Sequence, residues 1–99
     1  MKMLEGIRII DLTTVIFGPY ATQMLADLGA EVIKIESPTG DTPRYMGGFK
    51  KTPYMGGTHM TVNRGKKSVL LDLKKPDDAE VLRKLISSAD IFVHNVRAK

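Results

Sequence analysis

The stretch Asp11-Leu12-Thr13-Thr14-Val15-Ile16-Phe17-Gly18-Pro19-Tyr20-Ala21-Thr22 holds the end of one element, a loop and the start of another. Arg8 to Leu12 is a short run of bulky apolar residues around Asp11 and reads as a buried strand over 8–12. From Pro19 the period changes. Tyr20, Ala21, Met24, Leu25 and Leu28 recur at helical spacing, with Gln23 and Asp27 off the stripe. Pro19 suits the first helical position and Gly29 suits a left-handed C-terminal cap, which predicts a helix over 19–28. Glu31 to Ile35 then alternates weakly and reads as a second strand. A crossover of this length makes the two strands parallel. A helix that starts at the carboxyl end of a parallel strand turns unpaired N–H groups outward, where they favour an anion.

The pattern recurs. Ser68 to Asp72 reads as a third strand, Pro76 opens a helix over 76–87, and 91–94 reads as a fourth strand. Asp77, Asp78 and Glu80 sit in that helix's first turn, where negative charge meets the positive end of the dipole. Ala79, Leu82, Leu85 and Ile86 form its apolar stripe, and Glu80 can pair with Lys84. Two β-α-β units argue for an α/β layer on a parallel sheet, whose strand order this pattern does not specify. Residues 37–67 between them lack periodicity, and loops of that length are functional, disordered or shaped by a partner surface. A near-repeat inside them, Thr42-Pro43-Arg44-Tyr45-Met46-Gly47-Gly48 and Thr52-Pro53-Tyr54-Met55-Gly56-Gly57, occurs only twice and reads as coincidence.

Ninety-nine residues make one domain with a modest core. No apolar run reaches the roughly 20 residues of a membrane span. The N-terminus lacks a signal-peptide pattern, so cytoplasm is the expected location. With no Cys there is no disulfide or thiolate metal site, and His59 and His94 have no metal-ligand spacing around them. Residues 1–50 hold five Lys/Arg against six Asp/Glu, and residues 51–99 hold ten against five, so the net +4 is concentrated in the second half. A basic half suits an anionic partner and equally a solvated charged face.

No G-x-G-x-x-G is present, which disfavours a nicotinamide or flavin site, and no P-loop motif occurs. Gly18-Pro19 would let a ligand approach the first helix; it would also serve as a plain helix start. Asn63-Arg64-Gly65-Lys66-Lys67-Ser68 could hold a phosphate or be an exposed turn. Nucleic acid is disfavoured, because aromatic residues are 6% of the chain and are not interleaved with this run. Lys74 and Asn95 follow predicted strand ends, the edge at which open α/β sheets bind ligands, and read as donors to a nucleotide or as a solvated lysine and a turn former. Asp11 and Asp72 also sit at strand ends, yet nothing in the sequence makes either one a nucleophile or a base.

Together these pieces resemble the N-terminal segment of the class III CoA-transferases, the family of carnitine-CoA and formyl-CoA transferases and the methylacyl-CoA racemases. The residues that carry the resemblance are Leu4 to Thr13, Gly18 to Thr22, Leu25 to Glu36, Asn63 to Ser68, Leu71 to Lys74 and Ala89 to Arg97, in the family's order. The resemblance implies that residues 1–99 are the N-terminal part of a Rossmann-like CoA-binding domain, with the rest of the family's chain absent. It implies coenzyme A or acyl-CoA as substrate, no metal or redox cofactor, and an interlocked homo-oligomer. It places the catalytic aspartate, which forms an acyl anhydride and then a CoA thioester, beyond Lys99. No catalytic residue is therefore expected in this chain. By the same resemblance Val15, Ile16 and Phe17 match the loop along the pantetheine and diphosphate. Leu71 and Lys74 match positions near the adenine and its phosphates, and Asn95 and Val96 match an Asn-Phe pair facing CoA. Three positions depart from the pattern: Ile16 replaces a polar residue, Ser37 an arginine and Val96 an aromatic.

The expectation is thus an incomplete Rossmann-like parallel α/β sheet that binds CoA for a transferase. The chain alone would be inactive and would self-associate through an open edge or face. The alternative is a non-catalytic module that binds a nucleotide-like anion or a partner chain.

Overall fold

The computed structural model describes residues 2–45 and 55–97. Most of the near-repeat in the central loop lies outside the described residues. Strand β1 spans Arg8–Leu12, helix α1 Phe17–Asp27, β2 Glu31–Glu36, helix α2 Gly57–Val62, β3 Lys67–Leu70, α3 Pro76–Ser87 and β4 Ile91–His94. A short 3-10 turn covers Thr42–Tyr45. The four strands form one sheet in the order β3-β2-β1-β4, and every pairing is parallel. Arg8 stands opposite Glu31 and Asp11 opposite Lys34, while Ile9 faces Ile91 on the other side of β1. The chain moves outward from β1 through β2 to β3, then crosses back to lay β4 on the far side of β1. That reversal is a topological switch point, the place where open α/β sheets bind ligands.

Helices cover both faces. Ile10, Ile33, Ile35 and Leu71 form one buried cluster, against which Leu82, Leu85 and Ile86 of α3 pack. Ile9, Ala30 and Val32 form the other, closed by Leu25 and Ala26 of α1 and by Leu4 and Ile7 of the N-terminal segment. Successive strand residues point to opposite faces, so β1 and β2 need apolar residues at nearly every position. Among the described residues no helix is long and apolar enough to cross a membrane.

The structure moves several predicted boundaries. Helix α1 begins at Phe17, so Pro19 is its third residue; the opening N–H groups of a helix have no intrahelical partner, and a proline there sacrifices nothing. Gly29 ends α1 at φ +106°, a backbone shape suited to glycine. Of the predicted stripe of α1, only Leu25 packs against the core. Tyr20, Met24 and Leu28 are exposed, whereas Pro19, Thr22 and Gln23 are buried. Strand β3 ends at Leu70 instead of Asp72: the Leu71 N–H still reaches the Glu36 carbonyl at 2.9 Å, but Asp72 opens a turn that Lys75 closes at 2.9 Å. The long connection contains α2 and the 3-10 turn, elements too short to show a period.

Candidate functional site

The carboxyl ends of β1 and β2 are unusually polar for a sheet centre. Asp11 is fully buried, and its carboxylate accepts hydrogen bonds from the Thr13 N–H at 2.9 Å, the Thr13 hydroxyl and the Thr22 hydroxyl at 2.6 Å. The Lys66 ammonium, on a side chain only 2% exposed, lies 2.9 Å from it and also donates to the Pro19 carbonyl and the Asn63 side-chain oxygen. Burial alone would raise the Asp11 carboxyl; the hydrogen bonds from Thr13, Thr22 and Lys66 outweigh it and hold the group below its ordinary value. This explains the buried face of α1: Thr22 points inward to bond a carboxylate.

A second buried pair stands beside the first. Lys34 Nζ is 3.0 Å from Asp41 Oδ2 and 3.1 Å from the Thr13 carbonyl. Both Asp41 oxygens accept the Val15 N–H at 3.2 Å. Val15 has φ +70° and is the one non-glycine residue with positive φ among those described, a strained shape for a β-branched side chain. A third carboxylate, Glu36 at the end of β2, takes a two-pronged contact from Arg44 at 2.8 and 2.7 Å and further bonds from Ser68 and the Asp41 N–H. Burial works against this carboxylate too, yet Arg44, Ser68 and Asp41 bring its pKa down to about 2. Burial pushes His59 below its ordinary value, with Arg44 adding to the effect; its Nδ1 sits 3.1 Å from the Asn63 amide.

Above these groups lies a cleft of about 830 Å³, bounded by the β1–α1 loop, the segment after β2, the turn after β3 and Val96 beyond β4. Its walls are largely apolar, from Leu12, Ile35, Pro38, Leu71 and Leu73, with Lys74 at the margin. Of the residues singled out in the sequence, Val15, Leu71, Lys74 and Val96 line this one cleft. Ile16 and Phe17 do not. Phe17 opens α1 and is 89% exposed. Asn95 is turned toward the chain itself: its side-chain oxygen accepts the Thr14 N–H at 3.1 Å and its amide donates to the Thr14 carbonyl at 3.0 Å.

Sequence reasoning passed over Lys34, Asp41, Glu36 and Arg44. Their signal was there: a lysine and a glutamate inside an otherwise apolar strand are buried charges unless the strand is an edge. Lys66 was noticed only as part of a basic run. Of the two readings of Gly18, ligand approach and a plain helix start, the geometry fits the second: a Cβ there would lie 2.5 Å from the Thr13 Cβ, so its bareness serves the packing of Thr13. Among the described residues no group of three or more His, Asp or Glu side chains is placed to hold a metal ion.

The sequence profile of CoA-transferase family III matches residues 4–99. The chain is 42% identical over 102 residues to a succinyl-CoA:mesaconate CoA-transferase of Haloarcula hispanica, covering 99% of this chain and 26% of that protein. It is 43% identical over 99 residues to the human succinyl-CoA:glutarate CoA-transferase, covering 96% of this chain and 22% of that one. Among solved structures, a CAIB/BAIF family protein from Brucella suis superposes with a TM-score of 0.90 at 35% identity, over 96% of this chain and 26% of the other. The chain thus spans about a quarter of the length of the relatives it matches.

Proposed function

The chain belongs to CoA-transferase family III, and on that premise we propose that it forms the N-terminal part of a CoA-binding domain whose cleft takes coenzyme A or an acyl-CoA as substrate. The observation that carries the reading is the cleft's place, at the carboxyl ends of three parallel strands beside the switch point, with apolar walls and a cation at its margin. Val15, Leu71 and Val96 suit the pantetheine chain and the adenine face, and Lys74 suits a phosphate. Ile16 and the exposed Phe17 would meet the ligand only at the outer lip. Asn95 acts through Thr14.

In this reading the complete enzyme moves CoA between carboxylic acids, through a covalent intermediate on a carboxylate that this chain does not supply. Asp11, Glu36 and Asp41 are poor nucleophiles, because cations and N–H or O–H donors occupy their oxygens. The 99-residue chain is therefore expected to bind CoA and to show no acyl exchange between CoA donors. The test is a titration of CoA against the chain and its Lys74→Ala variant at low and high salt. Weaker binding by the variant, with a difference that shrinks as salt screens the charge, supports the reading. CoA bound no better than an unrelated polyphosphate overturns it.

A second reading, a partner-binding module, is favoured by one observation. Phe17, Tyr20, Met24 and Leu28 follow helical spacing along α1 and are all exposed. An apolar stripe of this kind fits a protein surface, including a second copy in a homo-oligomer. Because the first reading expects self-association as well, sedimentation is paired with the CoA titration: association at low micromolar concentration without CoA binding supports this reading, and a monomer removes it.

A further inference from the structure

Thr13, Thr14 and Val15 form the lip of the cleft where β1 turns into α1, and side chains from three other segments hold their backbone. Lys34 of β2 takes the Thr13 carbonyl at 3.1 Å. Asn95, after β4, takes both the N–H and the carbonyl of Thr14. Asp41, after β2, takes the Val15 N–H on both of its oxygens. Lys34 and Asp41 are themselves joined at 3.0 Å, on side chains 2% and 4% exposed. Val15 is meanwhile held at φ +70°, a shape that a valine in a free loop would leave.

We propose that Lys34, Asp41 and Asn95 are positioning residues: they clamp the Thr13–Val15 loop in one strained shape before ligand arrives, and the cleft's affinity depends on that shape. The inference rests on the reading that this cleft binds CoA. A loop already ordered loses less freedom on binding, so a ligand that packs on it binds more tightly. The clamp couples the lip to both neighbours of β1, since Lys34 and Asp41 come from the β2 side and Asn95 from the β4 side. It also gives Asn95 a role that needs no contact with the ligand.

The test has two readouts on the whole chain, amide exchange at Thr14 and Val15 without ligand and CoA affinity at low and high salt. Asn95→Ala removes two backbone contacts at the surface and leaves both buried ion pairs intact. It is expected to speed exchange at Thr14 and to weaken CoA by about tenfold, the scale of two lost hydrogen bonds, equally at both salt concentrations. The salt-independent loss separates positioning from the charge effect of Lys74→Ala. The double variant Lys34→Met/Asp41→Leu removes both buried charges together, so neither is left alone, and is expected to speed exchange at Val15. If it does not fold, Asn95→Ala decides the matter alone. Slow exchange at Thr14 in Asn95→Ala, or faster exchange with undiminished CoA affinity, overturns the proposal. If the wild-type chain binds no CoA, the functional reading fails, and so does the clamp's role in affinity; the exchange data then report only the loop's order.

Discussion

In the first β-α-β unit, β1 and β2 lie side by side at the centre of the sheet, and Ile9, Ile10, Val32 and Ile35 are at most 3% exposed. In the second, β3 and β4 lie at opposite edges, α3 has no fully buried residue, and Ile91 and Phe92 are 45% and 39% exposed. The two units read alike along the chain. Their difference comes from position: a central strand is covered on both faces and both edges, whereas an edge strand has one neighbour. The buried ion pairs follow the same division. Asp11 with Lys66, and Lys34 with Asp41, each involve a residue of β1 or β2, while Glu80 and Arg83 on α3 pair in solvent. Charges that the central strands bury must be matched, and matching them ties the cleft's rim to the sheet.

The contrast can be broken by mutation. Lys66→Met would leave the Asp11 carboxylate buried without a counter-charge, and is expected to lower stability by about 3–5 kcal/mol in urea unfolding, the cost of breaking rather than replacing a buried pair. A loss no larger than that of a surface pair would remove the distinction between the units.

Acid provides the next largest effect. Glu36 has a pKa of about 2 in the fold against an ordinary value of 4.5, so its contribution is fully present above pH 4.5 and disappears as pH falls toward 2. The expected loss is on the order of 3 kcal/mol across that window. Asp11, also held below its ordinary value, adds in the same direction. Glu36→Gln should flatten the stability-against-pH curve in that range, measured by unfolding at a series of pH values.

Packing at the β1–α1 junction ranks third. Gly18→Ala puts a methyl 2.5 Å from the Thr13 Cβ, and the junction must shift, at a cost of about 1–3 kcal/mol. A thermal melt compares it with wild type, and an unchanged melting temperature would show that the junction yields freely. The smallest effect belongs to the second unit. Arg83→Ala removes a solvent-exposed partner of Glu80 and should change stability by no more than about 0.5 kcal/mol. A larger loss in urea would mean that α3 contributes more than its exposure suggests.

Much of the fold was legible because strands and helices announce themselves by period. The α3 helix, with Pro76 at its start and acids in its first turn, falls at 76–87 as the pattern predicts. The α1 stripe misled because Thr22 is buried to bond the Asp11 carboxylate, a reason that no hydropathy period carries. Part of the cleft was legible as well: Val15, Leu71, Lys74 and Val96 meet there, although they come from three separate segments. Asn95 was visible as a strand-end amide, but its attachment to Thr14 spans 81 positions of sequence and has no local signature.

The sequence by itself determined the types of the periodic elements, four strands and the two longer helices, and their parallel sense, since apolar period and crossover length depend only on neighbours along the chain. It also carried membership of the family, through residues matched from 4 to 99. Only the tertiary structure decided that β1 is central and that β4 crosses back to its far side. It alone decided that Lys34, Lys66, Asp11 and Asp41 are buried as two matched pairs. The physical reason is that burial and charge pairing are properties of contacts between distant segments. A lysine in a strand carries the same letter whether water or a carboxylate stands beside it.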